Sequence, residues 1–182
     1  MAASRRGAWR WLVGLGLSLL GMAAPANVLV AQAPTAAQAS PPSPASSAEA
    51  VLAFRDAANF QNNGAFELAI EEWQAFLKRH GKDPLAPKAR HYLGVCQVQV
   101  KEYAAAEKTL AGLLQEQPQF ELREEALLQL ATAQYAQGMA GQAEAYRRAA
   151  KTFGELLAAF PQSKYADEAL FSQAEALYAQ GE

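Results

Sequence analysis

The sequence predicts an all-α chain, a solenoid of antiparallel helix hairpins running to about three and a half repeats. Three observations carry that expectation. Alanine and leucine dominate an apolar fraction of 51%, while valine, isoleucine and threonine are scarce, a bias toward helix over sheet. A thirteen-residue run beginning at Ala126 returns 43 residues later, beginning at Ala169, with eight positions identical. An apolar set also recurs. Phe66, Ala69, Trp73, Phe76 and Leu77 reappear 37 residues on as Tyr103, Ala106, Leu110, Leu113 and Leu114, and 43 further on as Tyr146, Ala149, Phe153, Leu156 and Leu157. Intervals of 3, 4, 3 and 1 put each set on one face of a helix.

The chain opens on what reads as an address. Met1–Arg10 is basic, and Trp11–Met22 is an uncharged apolar run. Small residues follow, with Ala24-Pro25-Ala26 and Ala31-Gln32-Ala33 as candidate cleavage triplets, the layout of a secretory signal peptide over 1–33. Pro25 and Asn27 interrupt the run before the roughly twenty apolar residues a membrane span needs, so an uncleaved anchor is the alternative reading. Arg5-Arg6 raises twin-arginine export as a second route. The expected location is therefore the periplasm or cell envelope. Segment 34–47, rich in proline, serine and alanine and free of charge, reads as a disordered linker.

The repeat domain spans 48–182, in units of about 48–83, 84–121, 122–163 and 164–182. Its helices are expected at about 47–62, 66–80, 87–100, 103–116, 122–137, 142–160 and 164–180. Ser46 with Glu49 reads as a capping box before the first helix, and Ser163 as the cap of the last. Gly64 suits a tight turn that needs positive φ; Gly138 and Gly181 are expected in the same slot, with Lys101 replacing glycine in the second unit. Pro118 and Pro161 follow the second helix of their units, where proline cannot continue a helix. Gly138 to Tyr146 is six residues longer than Gly64 to Phe66; Met139–Ala145 favours helix, so the sixth helix is expected to start early, with neutral variation of a loop as the alternative. The last helix presents Leu170, Phe171, Leu177 and Tyr178 with no helix after it. Either the natural chain continues beyond Glu182, or a partner or a second copy covers that edge.

The placement of Leu93-Gly94, Ala106, Leu110 and Pro118 resembles the tetratricopeptide consensus. Phe160-Pro-Gln-Ser-Lys-Tyr-Ala-Asp-Glu-Ala-Leu170, running on to Leu177-Tyr-Ala-Gln-Gly181, is similar to the exported subfamily that includes the TolA-binding envelope coordinator and the outer-membrane assembly lipoprotein. Gln97 and Gln134 depart from that pattern, standing where tyrosine is usual, and the lipid-attachment cysteine of the lipoprotein is missing. The resemblance implies that the first helix of each unit lines an inner groove that holds a partner peptide or helix. Carried onto this chain, the groove positions are Phe54 and Gln61; His91, Val95 and Val98; Leu128, Thr132 and Tyr135; and Phe171, Glu175 and Tyr178. Phe54 and Leu128 have a second reading as core residues under the next unit.

Chemistry is not expected. His80 and His91 are the only histidines; His80 closes the second helix near its negative end, and His91 is expected on an exposed helix face. Cys96 is the only cysteine and reads as a small buried hydrophobe. Glu71-Glu72 and Glu124-Glu125 read as solvated helix surface. No nucleophile elbow, phosphate-cradling glycine run or metal-ligand spacing is present, so no cofactor, metal or small-molecule substrate is expected. After the basic leader, thirteen basic side chains face eighteen acidic ones, a net of −5, which gives no footprint for nucleic acid. The function expected is an envelope protein–protein interaction scaffold. The alternative is a regulatory or spacer domain of a longer exported protein, whose catalytic part would lie beyond Glu182.

Overall fold

A computed structural model describes residues 45–180. The expected signal peptide, most of the linker, and Gly181 and Glu182 lie outside the described residues. The remainder forms seven helices: α1 (Ala48–Asn62), α2 (Phe66–His80), α3 (Ala86–Gln99), α4 (Tyr103–Glu116), α5 (Arg123–Met139), α6 (Ala143–Ala159) and α7 (Ala166–Ala179). Each helix packs on the next, and no strand occurs among the described residues.

The recurring apolar stripe is the core. Trp73, Leu110 and Phe153 occupy equivalent places, as do Phe76, Leu113 and Leu156, and Ala69, Ala106 and Ala149; all are buried. Small residues on the facing helices let the backbones approach closely. A Cβ on Gly94 would sit 2.5 Å from the Leu110 side chain, and one on Gly138 would sit 2.6 Å from the Tyr146 ring. Two clusters result. One centres on Trp73, Phe76, Leu93 and Cys96, the other on Leu110, Leu127, Phe153 and Leu156.

Each hairpin turn has the same build. Gly64, Lys101 and Gly141 take φ of 76°, 66° and 96°. The amide that follows each closes a six-residue loop: Ala65 N–H donates to Phe60 O, Glu102 N–H to Gln97 O and Gln142 N–H to Gln137 O, at 3.0, 2.8 and 3.1 Å. This is the Schellman closure of a helix end. Gly141, not Gly138, therefore fills the slot of Gly64. Gly138 lies inside α5, where its missing side chain admits Tyr146. The six extra residues are shared. α5 runs through Gly138 to Met139, and α6 begins three residues before Tyr146, so both helices of the third hairpin are lengthened and not the sixth alone.

The unit-to-unit turns also repeat. Asp83 donates back to His80, the last residue of α2, and Phe120 and Ser163 donate to Gln117 and Phe160, the residues just after α4 and α6; each of the three accepts from the first residue of the next helix. The cap of α1 is one residue later than expected: Ser47, not Ser46, accepts from Ala50 N–H at 3.1 Å. Ser46 instead donates to Asp83 at 2.6 Å, tying the start of α1 to the start of α3. Ser163 accepts from Tyr165 N–H at 2.9 Å in the turn before α7, and Tyr165 holds the N-cap position.

Candidate functional site: the face of the odd-numbered helices

Within the array, α3 touches α5 and α5 touches α7, in addition to the contacts between consecutive helices. Side chains at matching turns of the odd-numbered helices therefore line a common surface. One repeat position carries Phe54, His91, Leu128 and Phe171, at steps of 37, 37 and 43. Its exposure changes along the stack. Phe54 is half-buried, with ring centroids 4.8 Å from Trp73, 5.7 Å from Phe76 and 6.0 Å from Tyr92. His91 is buried against Tyr92 and Phe120, Leu128 is buried in the second cluster, and Phe171 is 64% exposed.

Four expectations are corrected by the structure. His91 is not on an exposed face; burial holds its imidazole below the usual range, opposed by the nearby Glu125 carboxylate. Its Nδ1 has no hydrogen-bond partner. Leu128 and Phe54 serve the core, as their alternative reading held. Gln61 is turned inward too: its Oε1 accepts from the Trp73 indole at 3.1 Å and from the Cys96 thiol at 3.4 Å. Burial pushes that thiol up to about 11, which makes it inert at neutral pH. Glu124 and Glu125 are half-buried, not fully solvated, and Glu124 accepts from the Ser163 hydroxyl.

The remaining predicted positions stay at the surface. Val95, Val98 and Thr132 are half-buried, and Thr132 donates to the Leu128 carbonyl at 2.8 Å. Tyr135 packs edge-on against Tyr146 at 5.5 Å and donates to Glu175 at 3.0 Å. Burial, then the Glu175 carboxylate, raises its phenol above the ordinary value. Tyr135, Phe171, Ala174, Glu175 and Tyr178 line one open depression of about 370 Å³ between α5 and α7. Tyr178 is 85% exposed. The depression is aromatic with a single carboxylate.

A polar cluster that the sequence reading did not find joins α4, α5 and α6. Glu107 of α4 accepts from Arg148 at 2.7 Å, from Gln137 at 2.7 Å and from Gln134 at 3.1 Å. Gln134 in turn accepts from Thr152 at 2.8 Å. The signal was present in the departure at Gln134, whose partner Glu107 is far away in sequence. Among the described residues, no group of three His, Cys, Asp or Glu side chains is placed to hold a metal ion. No helix among them is long and apolar enough to cross a membrane.

No protein-family model matches the sequence, and no curated protein matches it. Among solved structures, the chain is similar to the second tetratricopeptide domain of human RPAP3, determined by NMR in complex with an HSP70 peptide, SGPTIEEVD. The two share 17% identity over 70% of this chain and 94% of that domain, with a TM-score of 0.55. Seven consecutive hairpin-packed helices, a repeated stripe and this structural likeness establish the fold as a tetratricopeptide-type helical solenoid.

Proposed function

We propose that this protein is a protein–protein interaction scaffold of the cell envelope that holds a peptide or helix against its odd-numbered helices. The observation that carries the reading is the surface running from Val95 and Val98 across Thr132 to Tyr135, Phe171, Glu175 and Tyr178. It offers aromatic area at low entropic cost beside one carboxylate, which suits an extended or helical peptide with apolar side chains and a donor for Glu175. The RPAP3 domain of the same fold was solved with a peptide bound, which supports a peptide as the ligand class. The envelope assignment is supported by the basic-then-apolar leader and by the resemblance of Phe160–Leu170 to the exported TolA-binding and outer-membrane-assembly repeats.

The test is a display selection of peptides on the full chain, followed by binding to variants. Selected peptides should lose at least tenfold in affinity on Tyr135→Ala or Val98→Asp. They should bind Lys151→Ala, on the exposed face of α6, unchanged. Peptides that bind Tyr135→Ala and Val98→Asp as well as the parent chain would place the ligand elsewhere. Export is tested separately: N-terminal sequencing of the secreted protein should begin just after Ala26 or Ala33.

A further inference from the structure

A second groove lies in the middle of the array, between α4 and α6, with α5 beneath it. Its volume is about 570 Å³. Leu127 and Leu130 of α5 form the floor, and Ala111 and Leu114 of α4 form one wall. Positions 127, 130 and 134 point to a different face of α5 from Thr132 and Tyr135, so this groove is separate from the surface of the odd-numbered helices. Arg148 of α6 reaches Glu107 of α4 and bridges the two walls at one end, beside Gln134. Arg123, at the start of α5, lines the other end. Eleven residues of helix separate Arg123 from Gln134, a span of about 16 Å. That is room for roughly five residues of extended chain.

The charge of this groove is opposite to that of the domain around it. Its lining carries three cations, Arg123, Arg148 and Lys151, and one carboxylate, Glu155. After the leader, the chain as a whole has eighteen acidic side chains against thirteen basic ones. Arg148 is committed to Glu107. Lys151 and Glu155 are both exposed and 3.8 Å apart, a pairing that holds either group only weakly. Arg123 is half-buried and has no ion-pair partner among the described residues. It is also the first residue of α5, at the positive end of the helix dipole, where a carboxylate is favoured and a cation is not. Glu124 and Glu125 supply the favoured charge in that turn, and they line the depression beside Phe160 and Lys164 instead. Helix stability therefore does not account for an arginine at this place.

We infer that the groove between α4 and α6 is a second binding site, which takes an acidic segment of a partner protein. Carboxylates of that segment meet Arg123 and Lys151, and an apolar side chain between them rests over Leu127 and Leu130. A nucleic-acid duplex or an anionic bilayer would also meet the acidic remainder of the domain, whereas a short peptide touches the groove alone. The inference does not depend on the peptide-binding reading of the odd-numbered helices. Together the two surfaces would let one chain hold two partners at once.

The experiment is a selection of short random peptides on the full chain, with counter-selection on the double variant Arg123→Glu, Lys151→Glu. Peptides held by the parent and released by the variant should be rich in aspartate and glutamate. They should lose at least tenfold in affinity on the double substitution and weaken as salt is added. Their glutamine and asparagine versions should bind at least tenfold more weakly than the acidic originals. Tyr135→Ala and Val98→Asp should bind them like the parent chain, which separates this site from the odd-helix surface whether or not that surface binds a peptide. Glutamate suits the first position of α5 and Lys151 is exposed, so helicity and melting temperature of the double variant should match the parent, and lost binding would not be lost folding. The inference is overturned if no peptide distinguishes parent from variant, if those that do are basic or uncharged, or if they also fail on Tyr135→Ala. It is equally overturned if a DNA duplex or phosphatidylglycerol vesicles bind through Arg123 while no acidic peptide does.

Discussion

The Trp73 indole donates to the Gln61 side-chain oxygen across 3.1 Å, and Cys96 reaches the same oxygen from α3 at 3.4 Å. One amide thus joins α1, α2 and α3 at the centre of the first cluster. Gln61→Ala leaves the indole N–H without a partner in a buried site and should cost about 1–3 kcal/mol. Trp73→Ala also opens a cavity and should cost about 3–5 kcal/mol. Urea denaturation followed by circular dichroism measures both; equal losses would mean that the indole's volume contributes nothing beyond its hydrogen bond.

Lys101 holds φ of 66° where the equivalent residues Gly64 and Gly141 are glycine. A side chain in that region carries strain of order 1 kcal/mol or more. Lys101→Gly should therefore raise stability by about 0.5–1 kcal/mol, less than the full strain because glycine also loosens the unfolded chain. Lys101→Val, β-branched in the same turn, should lower it. The denaturation midpoints of the two variants should move in opposite directions.

His91 is the one polar member of the series Phe54, His91, Leu128 and Phe171, and its Nδ1 is orphaned. His91→Leu should stabilise the fold by about 1 kcal/mol by removing that unpaired atom. The pH dependence follows from the sign of the shift. Burial lowers the folded-state pKa below the ordinary 6.5, so the unfolded chain takes up the proton first. Stability should fall as pH drops from 6.5 toward the folded value, and His91→Leu should flatten that part of the profile. Thermal melts between pH 7 and pH 5 give the comparison.

Glu107 titrates lower down. Burial alone would raise its carboxyl, but hydrogen bonds from Arg148, Gln137 and Gln134 outweigh that and hold it below 4.5. A depressed carboxylate stabilises the fold above the unfolded value of 4.5 and loses that contribution as pH falls through the folded value. Asp83 is lowered in the same direction: burial opposes the shift, and hydrogen bonds from Ser46, Leu85 and Ser47 drive it. Glu107→Gln should lower the melting temperature at pH 7 and shrink the loss seen on acidification below pH 4.5. An unchanged acid limb would show that the cluster of Arg148, Gln134 and Gln137 does not hold a charge.

The stripe positions were legible because each is fixed by spacing along one helix. Trp73, Leu110 and Phe153 were read as one repeated position, and all three are buried. The turn of the third hairpin was misread at Gly138. Two glycines stand three residues apart there, and only the backbone shows that Gly141 takes positive φ while Gly138 makes room for Tyr146. Groove residues were the least legible. Gln61 and His91 share helix positions with surface residues of other units, but they meet Trp73 and Phe120 across the stack.

The sequence by itself determined the helices, their two-faced character and their stacking steps of 37 and 43 residues, because those depend on propensity and on intervals within a single segment. Tertiary structure alone decided which member of a repeated position is covered. Phe54, His91, Leu128 and Phe171 have the same place in their helices, yet only Phe171 is open to solvent. Burial belongs to two surfaces in contact, and the second surface of each pair comes from another part of the chain.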